Sequence, residues 1–159
     1  MAEIQTATVL SSESAGDGFH MVVAEASVPH GALPATHWLA ARVPGDALPF
    51  TGPWGSRFRL DDGEGPVGFF AAGSGISSIG AMVDACVTRG RPARLLWETP
   101  APSMLDRIAS WRAAGVDVEI GDRLSPRPDG ALWWLAGHGA RLDEVEALFY
   151  PPPQRIERY

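Results

Sequence analysis

Lysine is absent from the sequence, and all 13 basic residues are arginine. A chain without lysine can form neither a Schiff base nor a Walker-type phosphate loop, because both need a lysine amine. The single cysteine, Cys86, excludes an internal disulfide and any cysteine-rich zinc or iron–sulfur centre. Since His20, His30 and His37 also lack the spacing of metal ligands, the sequence predicts no metal site.

The sequence also lacks a positive net charge and long apolar runs. Its net charge is −6 and its pI is about 5.1, so we expect no nucleic acid or acidic membrane as a partner. No apolar run approaches the roughly 18 residues that a membrane-spanning helix needs. The N-terminal segment MAEIQTATVL lacks the basic start and apolar stretch of a secretory signal. These absences predict a cytoplasmic protein with a small-molecule partner.

Turn-forming residues are abundant, with 18 glycines and 14 prolines among 159 residues. This share favours a turn-rich architecture over a helical bundle, while the 45% of apolar residues predicts that the chain folds. The length fits one domain or two small ones. A polar segment at 61–66 predicts the boundary between them, which gives domains at 1–62 and 63–159.

Short apolar or β-branched runs, separated by glycine and proline turns, fill the first of these domains. Such runs predict the short strands of a barrel or sandwich fragment. They lie at residues 6–10, 19–25, 47–51 and 57–60, with a short helical segment at 34–42. The glycines around Asp17 have hairpin-turn chemistry, so we expect the first two strands to be antiparallel.

Strands and helices alternate in the second domain. Continuous apolar runs predict buried strands, and apolar residues at a spacing of three to four predict amphipathic helices. In order, these elements are strand 67–72, helix 76–89, strand 93–97, helix 103–114 with Ser103 as its N-cap, strand 116–120, strand 132–136 and helix 143–149. The alternation predicts an α/β fold with a Rossmann-like parallel sheet and covering helices.

A turn rich in glycine and serine, residues 73–78, joins the first of these strands to the first helix. Glycine lets the backbone approach a ligand closely, and the N-terminus of the following helix attracts an anion such as a dinucleotide pyrophosphate. Two interpretations stay open, a nucleotide-binding loop and an ordinary strand-to-helix turn. Ser78 occupies the position of the third glycine in the G-x-G-x-x-G pattern, so the pattern is incomplete. The candidate binding residues are Gly73, Ser74, Gly75, Ile76, Ser77 and Ser78.

Three further candidates stand at the ends of later strands. Glu98 ends the second parallel strand, where an acid can accept a hydrogen bond from the 2′-hydroxyl of an adenosine ribose. Gly137 and His138 follow the last strand at the same edge of the sheet. His138 can serve as a ligand contact or as a helix cap or loop residue, and both interpretations stay open.

Two segments of the first domain resemble a known family. Residues 36–46 (THWLAARVPGD) and 51–60 (TGPWGSRFRL) are similar to the closing strands of the flavin barrel in the ferredoxin–NADP⁺ reductase superfamily, especially its siderophore-interacting protein branch. The glycine turn and residues 135–137 follow in that family's order. The resemblance implies a truncated antiparallel barrel ahead of a domain that binds NADH or NADPH, with Thr36 as a contact to the flavin diphosphate.

The chain departs from that family at its flavin motif, Arg-x-Tyr-Ser/Thr, which falls at Gln5, Ala7 and Thr8. Glutamine cannot replace the charge and bidentate fork of arginine, and alanine has no ring to stack on a flavin. These departures speak against FAD. Glu98 favours NADH over NADPH, because an acid at the end of that strand disfavours a 2′-phosphate.

Two functions follow from these observations. The resemblance implies a reductase module, linked to NAD(P)H and flavin, that passes electrons to a ferric siderophore or a similar acceptor. The missing flavin contacts favour instead a non-redox relative that binds a small molecule or a protein, or one repurposed for another reaction in specialised metabolism. A shortened barrel exposes strand edges, so we expect a homodimer that covers them. The sequence identifies no catalytic residue.

Overall fold

The computed structural model describes residues 4–16, 19–25, 43–51, 60, 62–127, 130–149 and 155–158. The chain divides into two compact units, Met1–Ser56 and Arg57–Tyr159. The domain boundary predicted after residue 62 stays a prediction. The predicted helical segment 34–42, most of the predicted strand 57–60 and the candidate Thr36 lie outside the described residues.

The first unit contains a three-stranded antiparallel sheet. Its strands are β1 (Ile4–Gly16), β2 (Phe19–Glu25) and β3 (Ala47–Thr51), in the order β2-β1-β3. The central strand β1 pairs with both neighbours, so that Thr8 lies opposite Glu25 on one side and Ala47 on the other. The antiparallel strands predicted here are confirmed, and the first of them is longer than predicted. A truncated barrel is not shown by the described part of this unit.

A five-stranded parallel sheet with three helices forms the second unit. Its strands lie in the order β6-β5-β4-β7-β8, where β4 is Val67–Ala72, β5 is Ala93–Glu98, β6 is Asp117–Gly121, β7 is Leu132–Gly137 and β8 is Arg155–Arg158. The helices are α1 (Ile76–Arg89), α2 (Leu105–Ala113) and α3 (Gly139–Glu146). The predicted α/β class is confirmed. None of the helices in the described ranges is long and apolar enough to cross a membrane.

The first two helices end as predicted, but α2 begins differently. Gly90 ends α1 with φ of 63°, and Gly115 follows α2 with φ of 90°, both in the left-handed region that favours glycine. The predicted N-cap Ser103 is wrong, because α2 begins at Leu105 after Met104, whose φ is 56°. The Met104 side chain is buried, and its carbonyl accepts the first hydrogen bond of α2, from the amide of Ile108.

The third helix begins four residues earlier than predicted, at Gly139 rather than Asp143. The carbonyl of His138 accepts hydrogen bonds from the amides of Arg141 and Leu142, which starts the helix directly after β7. The strand β8 was not predicted. This strand has only four residues, Arg155–Arg158, and its charged residues hide the apolar signal of a strand.

Successive side chains of a strand point to opposite faces of the sheet. Both faces of the parallel sheet are covered by helices. On one face, Phe69 and Trp134 are neighbours in register, and their ring centroids lie 5.9 Å apart. The right-handed crossover rule places α1 and α2 on this face. The other face packs against α3 through the buried side chains of Phe70, Leu96, Trp133, Leu135, Leu142 and Val145.

The carboxylate of Asp84 joins α1 to α2. It accepts hydrogen bonds from the Arg107 guanidinium and, at 2.6 Å, from the indole nitrogen of Trp111. The guanidinium also lies 5.2 Å from the centre of the Trp111 ring, a cation–π distance. These contacts fix the two helices to each other. The Cys86 side chain on α1 is buried.

Candidate functional site

The strand order of the parallel sheet reverses between β4 and β7. From β4 the chain continues outward to β5 and β6, and it then returns to build β7 and β8 on the opposite side. Ligands of open α/β sheets bind at such a reversal, outside the carboxyl ends of the strands. The turn Gly73–Gly75 follows β4, while β7 ends at Gly137 and is followed by His138. The fold therefore brings these two predicted segments to the same edge.

Two glycines let the ends of β4 and β7 approach each other. A Cβ atom on Gly75 would lie 2.1 Å from the carbonyl oxygen of Ala136, and one on Gly137 would lie 2.7 Å from the Cβ of Ala72. Each glycine thus accommodates the backbone or side chain of the opposite segment. The close approach sets the start of α1 against the end of β7, so Gly75 and Gly137 are required for packing at this edge.

The outer part of the glycine turn is open to solvent. Gly73 has φ of 56°, and a Cβ added there would meet nothing within 4 Å. Ser74 and Ser77 are exposed and Ser78 is half-buried, whereas the side chain of Ile76 lies in the core. The exposed backbone and hydroxyl groups of this turn lie at the sheet edge where the reversal predicts a ligand.

The start of α1 has no side-chain cap. Its N-cap residue, Gly75, is the last residue of a 3-10 helix, Gly73–Gly75, that runs directly into α1, and glycine has no side chain with which to cap it. The amide of Ile76 does bond back, to the carbonyl of Ser74. The amides that open this continuous helical segment at Gly73–Gly75, together with the helix dipole, favour an anion. The residues present therefore fit a phosphate group of a nucleotide.

Trp97 forms a hydrogen bond to the glycine turn. Its indole nitrogen donates a hydrogen bond of 2.9 Å to the carbonyl oxygen of Gly73, and its side chain is buried. A tryptophan one residue before the end of a buried strand is the only sequence signal for this contact, and the sequence analysis missed it. The bond occupies the carbonyl oxygen of Gly73, while the exposed part of the turn at Gly73 and Ser74 stays accessible to a ligand.

Glu98 lies at the end of β5 as predicted, but its carboxylate is bound within the protein. Its Oε1 accepts hydrogen bonds from the amide of Leu124 at 2.7 Å and from Nη2 of Arg141 at 2.5 Å. Its Oε2 accepts a third, from Nε of Arg141 at 2.8 Å. The residue is 8% exposed. A contact between Glu98 and a ribose stays a prediction.

Arg141 extends this ion pair to two more segments. Its Nη2 also donates to the carbonyl of Leu124 at 2.8 Å, and its Nη1 donates to Glu144 at 2.8 Å. The guanidinium carbon lies 5.7 Å from the centre of the Phe70 ring. Hydrogen bonding to Glu98, the largest influence, raises the pKa of Arg141 above its usual value. Arg141 thus ties β5, the segment after β6 and α3 together.

His138 stands between β7 and α3 and is exposed. Its backbone is extended, with φ of −70° and ψ of 135°, and its side chain makes no capping hydrogen bond. His138 is therefore the N-cap residue of α3, but its side chain does not cap the helix. Within the described ranges, no group of three histidine, cysteine, aspartate or glutamate side chains is arranged to hold a metal ion.

No protein-family model and no curated protein matches the sequence, but solved structures share its fold. Flavohemoglobin from Malassezia yamatoensis, with bound FAD and heme, matches with a TM-score of 0.63 and 11% identity, over 99% of this chain and 60% of that chain. The chain thus spans less than two thirds of that protein.

Two reductase structures match similarly. The ferredoxin reductase in carbazole 1,9a-dioxygenase has a TM-score of 0.62 and 18% identity, over 98% of this chain and 68% of that one. The flavohem-like FAD/NAD-binding domain of nitric oxide dioxygenase from Vibrio cholerae O1 biovar El Tor has a TM-score of 0.62 and 15% identity, over 98% and 84%. The chain shares its fold with ferredoxin reductase-like FAD- and NAD-binding domains.

Proposed function

We propose that this chain is a reductase-type module that binds NADH or NADPH at the carboxyl edge of its parallel sheet. The observation that carries the proposal is the uncapped start of α1 beside the open Gly73–Ser74 turn, at the reversal of the strand order. The nucleotide pyrophosphate would lie against the first-turn amides of α1. When bound, the nicotinamide would supply a hydride.

The residues of the edge divide into two roles in this proposal. The turn backbone and the hydroxyls of Ser74, Ser77 and Ser78 bind the phosphates, while Gly75 and Gly137 bring the two helix starts together. His138 is exposed at the same edge, and it would orient the ligand by a hydrogen bond. NADH is the preferred nucleotide, because Glu98 disfavours a 2′-phosphate near the end of β5.

Further features of the proposal come from the resemblance to the siderophore-interacting branch. That resemblance implies a ferric siderophore or a similar acceptor as the electron acceptor, and it would place Thr36 at a flavin diphosphate. Gln5 and Ala7 on β1 do not fit the usual hold on FAD, since they provide neither the cation nor the aromatic ring. We therefore derive no step through FAD.

A second function is favoured by that same mismatch on β1. A non-redox relative would keep the sheet edge as a binding site for a small molecule or a protein partner, without a flavin, or would serve another reaction. It differs from the reductase in its response to cofactors. The reductase would bind NADH and, with added FAD, oxidise it. The non-redox relative would leave NADH unoxidised whether or not FAD is present.

The proposal is tested by titrating NADH, NADPH, FAD and FMN into the purified protein in a calorimeter. We expect NADH to bind in the micromolar range, about −8 kcal/mol, with NADPH weaker. Serine-to-alanine changes at Ser77 and Ser78 provide a site check, since they should weaken NADH without lowering the unfolding temperature much. Failure of both NADH and NADPH to bind would refute the proposed site.

Assembly and location remain part of the proposal. A homodimer would cover the edges of the antiparallel sheet, where β2 and β3 each pair with β1 among the described strands. The protein would act in the cytoplasm. Light scattering at several concentrations tests the dimer, and a mass of one chain at every concentration would contradict it.

A further inference from the structure

The carboxylate of Glu98 has little capacity left for a ligand. A carboxylate has about four lone-pair sites for hydrogen bonds, and the amide of Leu124 and two nitrogens of Arg141 occupy three of them. The Glu98 residue is also 8% exposed. A ribose hydroxyl could reach this carboxylate only by displacing the segment that covers it.

The guanidinium of Arg141 is equally committed. Of its five N–H groups, one goes to each oxygen of Glu98, one to the carbonyl of Leu124 and one to Glu144. Arginine is the residue that takes the 2′-phosphate in proteins that bind NADPH, and it does so from a position near the end of the second strand. Arg141 stands there, but its side chain is already bound.

The surrounding charges cancel. Arg123 donates to Glu144 at 2.7 Å, which joins a second cation to the Glu98–Arg141–Glu144 chain of ion pairs. The network therefore holds two positive and two negative side chains, a sum of zero. A 2′-phosphate carries close to two negative charges at neutral pH. The network offers it no net positive charge and only one unoccupied N–H on Arg141.

We infer that Glu98 excludes 2′-phosphorylated nucleotides by holding Arg141 in an ion pair, and not by contact with the ribose. This inference rests on the proposed nucleotide site. It makes Glu98 a positioning residue and Arg141 the residue that determines specificity. Replacing Glu98 with glutamine leaves the network with one net positive charge and frees the Nε N–H of Arg141, which now donates to Oε2, for a phosphate.

The test compares NADH with NADPH, which differ only in the 2′-phosphate. Binding is measured by calorimetry on wild type, Glu98→Gln, and the double variant Glu98→Gln/Arg141→Met. The glutamine retains an oxygen that accepts from the amide of Leu124. We expect Glu98→Gln to bind NADPH about tenfold more tightly, with NADH changed by less than about twofold. The double variant should lose the gain in NADPH affinity.

Direct contact with the ribose makes the opposite prediction. If Glu98 accepts from the 2′-hydroxyl, Glu98→Gln weakens NADH by about tenfold, and any change in NADPH affinity survives the loss of Arg141. That result overturns the inference. A Glu98→Gln variant with an unchanged ratio of NADH to NADPH affinity does the same. If wild type binds neither nucleotide, the proposed function fails and the inference fails with it. If wild type binds NADH but Glu98→Gln gives either result above, only the inference fails.

Glu119→Gln is the matched control. It removes the same charge from β6, where Glu119 is exposed and pairs with Arg94 at 3.4 Å. The ratio of NADH to NADPH affinity should stay at the wild-type value in this variant, and a shift equal to that of Glu98→Gln contradicts the inference. If Glu98→Gln does not fold, Glu98→Asp replaces it. The shorter acid keeps its charge but cannot hold both nitrogens of Arg141, so a smaller gain in NADPH affinity is expected.

Discussion

The indole nitrogen of Trp97 lies 2.9 Å from the carbonyl oxygen of Gly73 and donates a hydrogen bond to it. Trp97 stands one residue before the end of β5, and Gly73 directly follows β4, so the bond joins neighbouring strand ends. It fixes the peptide that begins the glycine turn. A turn already fixed in the free protein loses less conformational entropy when a ligand binds.

Replacing Trp97 with phenylalanine removes this donor while keeping an aromatic ring. Loss of one neutral hydrogen bond should lower the free energy of unfolding by about 1 kcal/mol, plus a cavity contribution. The turn then has to be ordered by the ligand, so we expect the Kd for NADH to rise about threefold to tenfold. Urea unfolding and calorimetric titration measure the two effects separately.

Trp111→Phe is the control for this variant. It also removes one indole hydrogen bond, but Trp111 lies on α2 and does not bond to the glycine turn. The Trp111 nitrogen donates to the charged Asp84. Such bonds contribute about 1.5–3 kcal/mol, so Trp111→Phe should destabilise at least as much as Trp97→Phe. NADH affinity should stay unchanged. Equal loss of affinity in both variants would assign the effect to general destabilisation.

Glycine at position 75 is required by contact, since its Cβ would lie 2.1 Å from the carbonyl oxygen of Ala136. Gly75→Ala should therefore force β4 and β7 apart and lower the free energy of unfolding by about 3 kcal/mol or more. Gly139→Ala is the comparison, because nothing lies within 4 Å of an added Cβ there. That change should raise stability by up to about 1 kcal/mol, since alanine favours helix. Thermal unfolding compares the two.

The elements of the second unit were predictable because their signals are local. Apolar residues at helical spacing predicted α1, and glycine after it predicted its end at Gly90. The glycine turn and Gly137 were placed at one edge because parallel strands end together. These inferences need only residues that are near in sequence, together with the general rule for strand order.

The contacts that define the site were not predictable in the same way. Glu98 was placed correctly at the end of β5, but its partner Arg141 lies 43 residues further along the chain. No periodicity links the two, and an isolated carboxylate looks available to a ligand. Strand alternation turns Glu98 toward the face that α3 covers, which is a tertiary fact. The early start of α3 at Gly139 is what brings Arg141 within reach.

The ion pairs of Arg141 and Arg158 should differ in their contribution to stability. Arg141→Met leaves Glu98 buried and without its cation, and loss of one partner of a buried pair lowers the free energy of unfolding by about 3–5 kcal/mol. The raised pKa of Arg141 means that its charged form is stabilised in the fold. That stabilisation is present below the usual arginine pKa and is lost only as the pH rises above it.

Arg158→Met provides the contrast. Arg158 on β8 pairs with Asp143 at 3.2 Å and with Glu146, and its side chain is 42% exposed. Hydrogen bonding to Glu146 raises the pKa of Arg158, but water and salt screen such pairs at the surface. We expect no resolved change in the urea midpoint. A loss as large as that of Arg141→Met would show that β8 depends on this pair.

Gly68 and Trp133 should be coupled in their effects on stability. They are neighbours in register on β4 and β7, and a Cβ on Gly68 would lie 2.3 Å from the Trp133 ring. Gly68→Ala should cost about 1–3 kcal/mol by overpacking, and Trp133→Phe should cost stability by leaving a cavity. In the double variant the smaller ring makes room for the methyl group, so the combined loss should be smaller than the sum by at least about 0.5 kcal/mol. Urea unfolding of the four proteins measures the coupling, and additive losses would mean that the ring does not confine this strand.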